Sequence, residues 1–140
     1  MRWSEFVERV RERGEYPTGR EAERVSRTVL PALAGQLDRE ERDLLARRLP
    51  PEAARLVTAR GPATPPLPAA AFVDAIAART EGATPATARW DTSSVLSVVA
   101  DAMDRGELDR LMARLPGGYA LLFGRARLVP DRPAREAEPV

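Results

Sequence analysis

Asp38-Arg39-Glu40-Glu41-Arg42-Asp43-Leu44-Leu45-Ala46-Arg47-Arg48-Leu49-Pro50 returns 66 residues later as Asp104-Arg105-Gly106-Glu107-Leu108-Asp109-Arg110-Leu111-Met112-Ala113-Arg114-Leu115-Pro116. Each stretch opens with a capping box, Asp-x-x-Glu. In that motif the first side chain accepts from the backbone N–H three residues on and the Glu bonds back. Each then carries buried-type Leu at helical spacing and closes on Leu-Pro, where proline cannot continue a helix. The pattern predicts a short helix, given twice.

The same shift aligns the rest of the chain without a gap. Phe6-Val7 falls on Phe72-Val73, Arg13 on Arg79, Thr18 on Thr84, Ala22 on Ala88, Val29-Leu30 on Val95-Leu96 and Ala34 on Ala100. Apolar type is kept at Val10 and Ile76, Leu33 and Val99, Leu37 and Met103, and Leu56 and Leu122. Self-similarity at a fixed period marks stacked like units that share a core. The expectation is a first helical repeat over 1–60, a Pro-rich linker over 61–68, a second repeat over 69–124 and a disordered tail over 125–140. The tail loses periodicity and gains Pro and charge.

Within each repeat the signals are helical. Trp3, Phe6, Val7 and Val10 make a first helix, with Ser4 as its N-cap and Gly14 as its stop. Thr18 and Glu21 form a capping box for a second helix, whose stripe is Ala22, Val25, Val29, Leu33 and Leu37. Pro31 should bend that helix or end it early. Pro50-Pro51 presets a short fourth helix bearing Ala53, Leu56 and Val57. In the second repeat, Ala71 to Thr80 reads as the first helix and Thr84-Pro85 caps the second. Val95, Leu96, Val99 and Met103 line that helix, while Tyr119, Leu122 and Phe123 face inward from the fourth. Strand alternation is lacking. The fold class expected is all-α: two tandem four-helix repeats packed as one pseudo-twofold eight-helix globule.

Taken as a set, Phe6-Val7, Glu21-Ala22, Val29-Leu30 and Arg48-Leu49-Pro50, with the second ending Arg114-Leu115-Pro116-Gly117-Gly118-Tyr119-Ala120-Leu121-Leu122-Phe123-Gly124, resemble the bacterial family called domain of unknown function 2267. The likeness covers roughly residues 3–124. It implies an all-helical fold and occurrence in actinobacteria and other bacteria. It implies no activity and brings no catalytic residues.

Composition narrows the chemistry. The 140 residues include no Cys, His, Lys or Asn, and all 22 positive side chains are Arg, against 21 Asp and Glu. Zinc sites built on Cys or His, His-based nucleophilic sites, Schiff bases and the phosphate-binding P-loop are thereby excluded. Paired-carboxylate catalysis and a carboxylate magnesium site stay open in principle. Asp38, Glu41 and Asp43, echoed by Asp104, Glu107 and Asp109, are the residues for it, but helix-cap duty explains them better. No cofactor or metal is expected, and the chain is read as a non-enzyme. With no h-region and no long apolar run, it is expected to be cytoplasmic, without a membrane partner.

Charge is balanced between residues 1–60 (13 Arg, 11 acids) and 61–140 (9 Arg, 10 acids), unlike the basic excess of nucleic-acid binders. The expected function is therefore a protein-interaction or accessory module whose partner is another protein or a second copy. A nucleic-acid-binding or regulatory role through an Arg strip (Arg20, Arg24, Arg27) is the alternative. Glu23 can pair with Arg27 at i,i+4 and quench that strip. Arg48 and Arg114 either cap the carbonyls at the end of the third helix or pair with an acid across the repeat interface. Trp3 should cover the end of the core. Trp90 is the aromatic best placed for a partner surface. Ser93, Ser94 and Ser97 read as packing or surface residues, there being no base to activate them.

Overall fold

A computed structural model of the chain describes residues 1–58 and 65–125. Those residues form eight helices and no strand: α1 (Trp3–Gly14), α2 (Gly19–Ala34), α3 (Arg39–Arg48), α4 (Pro51–Thr58), α5 (Ala69–Ala78), α6 (Pro85–Asp101), α7 (Arg105–Arg114) and α8 (Tyr119–Leu122). The all-helical class is as the sequence indicates. Helices α5, α6 and α7 begin 66 residues after α1, α2 and α3. Linker residues 61–64 and tail residues 126–140 lie outside the described residues. None of the helices described is long and apolar enough to cross a membrane.

The caps explain the helix starts. Thr18, Asp38, Thr84 and Asp104 each accept from the backbone N–H three residues on. Glu41 and Glu107 return the bond to the backbone N–H of Asp38 and Asp104. Each such cap contributes about 1 kcal/mol. At the first helix the reading needs correction. The helix opens at Trp3, so Ser4 lies inside the first turn, and the N-cap backbone N–H of Arg2 is bonded by Glu5. Trp3 earns this extra position by stacking on Phe6, with ring centroids 5.7 Å apart and planes at 7°.

Two further boundaries shift. Leu37 and Met103 fall in the turns beyond α2 and α6, not on the helices, yet both are buried. The first helix of the second half is Ala69–Ala78, set two residues earlier at each end than 71–80. Pro31 does not end α2 at once. The helix passes through it and stops at Ala34, three residues later.

One hydrophobic core runs through the molecule, drawing on every helix. At its centre α2 packs on α6, α1 packs on both, and α5 lies against α6. Phe6, Leu30, Leu33, Leu45, Phe72, Leu96, Leu111, Tyr119 and Phe123 are among its buried members. Burying each aliphatic or aromatic side chain contributes about 1.5–3 kcal/mol. At matched positions in α2 and α6, Ser26 and Thr92 are fully buried, and each donates its hydroxyl to the carbonyl four residues back, Ala22 and Ala88. A buried hydroxyl left without an acceptor would cost more than its packing gains, and the helix carbonyl supplies that acceptor.

The crossing from one half to the other is pinned at Leu67. Its N–H donates to the Gln36 side chain at 2.6 Å, and its carbonyl accepts from the Tyr119 hydroxyl at 2.7 Å. Gly118, at φ +98°, turns the chain into α8 where a side chain would press on Ala69.

Candidate functional site

The arginines singled out in the sequence divide into two sets. Arg48, at the end of α3, reaches Glu107 at the start of α7, its Nε donating to both carboxylate oxygens at 2.9 and 3.0 Å. Arg114, at the end of α7, reaches back to the start of α3, 3.3 Å from Asp38 and 3.4 Å from Glu41. Of the two readings for these arginines, carbonyl capping gives way to pairing across the molecule. The physical reason is position: each capping-box carboxylate sits at a helix N-terminus facing the C-terminal turn of the matched helix, and its charge draws the guanidinium there against the positive end of that helix's dipole.

The two boxes are not equivalent electrostatically. The Arg48 guanidinium, bonded to Glu107, holds that carboxyl below its usual range. Burial pushes Glu41 the other way, above its usual range, against the backbone hydrogen bond to Asp38. Asp38 is lowered by the hydrogen bond it accepts from the Glu41 N–H. Among the described residues, no group of three carboxylates is arranged to hold a metal ion. Asp38, Glu41, Asp104 and Glu107 are occupied as caps and ion pairs.

The Arg20–Arg24–Arg27 strip is spent largely on its own helix. Arg27 pairs with Glu23 at 2.9 Å and lies 5.2 Å above the Trp3 ring, while Arg24 pairs with Glu21 at 3.7 Å. Trp3 also donates its indole N–H to Glu23. Arg20 stands exposed in the first turn of α2.

Trp90 is 53% exposed, but its indole N–H is committed, donating to the Gly14 carbonyl at 2.9 Å. It belongs to a tie between the end of α1 and α6. Next to it the Tyr16 hydroxyl donates to Asp91 at 2.6 Å. Burial raises the Tyr16 hydroxyl and the Asp91 carboxyl above their ordinary values, and for Tyr16 the Asp91 bond adds to the rise. Gly14 leaves room for the Tyr16 ring and Ser94, since a Cβ there would stand 2.2 Å from the ring. Ser94 and Ser97 are buried packing residues, each bonding the carbonyl four residues back; Ser93 is half-buried. Asp91 was not singled out in the sequence. Its position, one residue past Trp90, carries no signal until α1 is laid on α6.

A concavity on the α7 side of the molecule was also not foreseen. It is a groove of about 620 Å³ between α7 and α8. Met103, Leu108, Met112 and Ala120 make its floor. Arg105, Asp109 and Arg125 stand at its rim. Methionine floors adapt to differently shaped apolar partners, and a charged rim fixes orientation. The sequence did hold a clue. At the matched positions of α3 the residues are Arg42 and Ala46, where α7 has Leu108 and Met112. Arg42 folds inward and donates to the Ala34 and Leu37 carbonyls, filling the corner that Leu108 leaves open.

Comparison with curated proteins finds no match. The sequence pattern of one family, described as "Uncharacterized conserved protein (DUF2267)", matches residues 3–122. That span takes in α1 through α8, both capping-box helices and most of the α7–α8 groove. The chain therefore belongs to the DUF2267 family of uncharacterized conserved proteins.

Proposed function

We propose that this protein works as a non-enzymatic interaction module, with two tandem four-helix repeats about a pseudo-twofold axis and the α7–α8 groove as its docking face. The groove carries the reading. Its floor is mostly Met and Leu, its rim is charged, and among the described residues no helix packs along α7 as α4 packs along α3. The reciprocal pairs, Arg48 to Glu107 and Arg114 to Asp38 and Glu41, support the twofold arrangement. The residues that could have carried acid–base chemistry are engaged as caps, which supports a role without catalysis.

A photoreactive residue at Met112 tests the reading in cells producing the full chain. Crosslinking to another polypeptide is expected from position 112 and not from position 20 on the far strip. No adduct from position 112, or equal adducts from both, overturns it. The nucleic-acid alternative has less support, because two of the three strip arginines are paired on their own helix. A salt-dependent mobility shift of a labelled duplex that is lost in R20E/R24E would revive it.

A further inference from the structure

We propose that the α7–α8 groove is the contact face of a twofold dimer, in which two copies of α7 lie antiparallel and Arg105 of each pairs with Asp109 of the other. The inference rests on the reading of the groove as a docking face and names its occupant, a second copy of this chain. It begins from two charges. Arg105 and Asp109 stand exposed on the rim, four residues apart and so on one side of α7. Among the described residues neither forms an ion pair, whereas Arg48, Glu107 and Arg114 of α3 and α7 all do. Apolar surface lies beside them. Met112 is half-buried in the groove floor. Leu121, which follows Ala120 of that floor, is 55% exposed, the most exposed large apolar side chain among the described residues.

Symmetry makes the charge pattern informative. A twofold contact brings one patch against itself, so each residue meets a partner that meets it in return. A patch of one sign therefore repels its copy, and a patch of both signs pairs only if the signs exchange places about the axis. Helix α7 meets that condition. With two copies antiparallel and the axis beside Leu108, Arg105 falls opposite Asp109 on each side of the axis. The same register sets Met112 against the turn at Met103 of the second copy, so one apolar floor closes on the other. Helix α3 shows why this belongs to the second half. Arg39 and Asp43 carry the same charges at the matched positions. Between them stands Arg42, bonded inward to the Ala34 and Leu37 carbonyls, and α4 lies along the helix. The charges repeat, but the apolar floor beside them does not.

Sedimentation equilibrium of the full chain tests the proposal, with circular dichroism to show that each variant is folded. A mass rising toward twice that of the chain with concentration is expected. R105D and D109R each set like charges against one another twice, and each should raise the dimer dissociation constant by more than about tenfold. Mixed in equal amounts, these two variants oppose unlike charges again and should dimerise with each other about as tightly as the native chain does with itself. The double variant R105D/D109R should recover in the same way. A variant that had only lost its fold would do neither. L121E should weaken the dimer, and neither charge change should restore it. A chain that stays monomeric up to about 1 mM overturns the proposal. So does a dimer that R105D and D109R leave unchanged, or one that mixing them does not restore. The photoreactive residue at Met112 separates this inference from the docking reading. Adducts between two copies of the chain support both. Adducts with a different polypeptide alone overturn the dimer and leave the docking reading standing. No adduct of either kind overturns both.

Discussion

The α3–α4 corner and the α7–α8 corner start from the same thirteen-position pattern and finish differently. In the first, α4 is an eight-residue helix lying along α3, and the Arg42 guanidinium turns inward onto the carbonyls of Ala34, at the end of α2, and Leu37, in the turn beyond it. In the second, α8 is a four-residue helix entered through Gly117-Gly118, Leu108 replaces the arginine, and a groove remains. The capping box and the Leu-Pro ending are shared, so the local helix is the same. What differs is how much of its far side a neighbour covers. A duplicated element can thus keep its folding signals and still release one copy's surface.

The strongest way to break this comparison is to cut the two cores. Leu45 and Leu111 are matched and fully buried. Truncation of a buried Leu to Ala costs about 2–5 kcal/mol, with the lower end where surroundings can relax. L45A is expected to destabilise more than L111A in urea unfolding, because α3 has α4 against it. Equal losses would mean that the second corner is packed as tightly as the first.

Converting one corner into the other has the next largest effect. R42L removes the charge-assisted Nε–H that the Ala34 and Leu37 carbonyls share, worth about 1.5–3 kcal/mol, and puts a smaller apolar side chain in its place. A net loss of stability is expected, together with new binding of an apolar dye. An unchanged dye signal would show that Arg42 is not what fills the first corner.

A smaller effect belongs to the tie found on one side of the molecule. Tyr16 and Asp91 correspond to Gly82 and Val25, so this bond has no twin. Y16F leaves a half-buried carboxylate without its donor and should cost about 1–2 kcal/mol by thermal denaturation. D91N keeps an acceptor without the charge and should cost less. Because burial raises the Asp91 pKa, the folded state holds that proton more tightly than the unfolded chain does. Its contribution is favourable at low pH and is lost as pH rises through the folded value. D91N should remove that slope. A D91N chain less stable than Y16F would contradict this.

The smallest expected effect is the opposite titration of the two box glutamates. Glu107 is lowered by Arg48, so its contribution is present above the unfolded carboxylate value and is lost as pH falls through its folded value. Glu41 is raised by burial, so its charged form opposes folding and protonation relieves it. In a carboxyl NMR titration, Glu107 should titrate below Glu41, and the stability lost in E107Q should shrink as salt screens the Arg48 pair that it removes. Coincident curves would erase the asymmetry.

Much of the local structure was legible in the chain. Asp38, Thr84 and Asp104 cap as read, and Thr18 caps without the return bond from Glu21, because a short polar side chain before an apolar period meets the orphan N–H groups of a helix start whatever the helix later touches. Ser4 misled because the helix opens two residues further back, with Arg2 as its N-cap and Trp3 stacked on Phe6 in the first turn. The candidate site was much less legible. The Arg strip and Trp90 stood out as residue types, and the Glu23–Arg27 pair followed from its spacing, yet the contacts of Arg27 with Trp3 and of Trp90 with Gly14 depend on side-chain placement. The groove left only a faint trace, at Arg42 against Leu108 and Ala46 against Met112.

By itself, the sequence determined the helices, their starts and their apolar faces, since hydrogen bonding and periodicity act over a few residues. It also determined which cofactor chemistries lack ligands. Tertiary structure alone decided that Arg48 and Arg114 cross to each other's capping boxes, that Tyr16 meets Asp91, and that α8 leaves α7 partly uncovered. These are contacts between faces far apart in the chain. A 3.6-residue period states that a face is apolar and is silent about which other face will cover it.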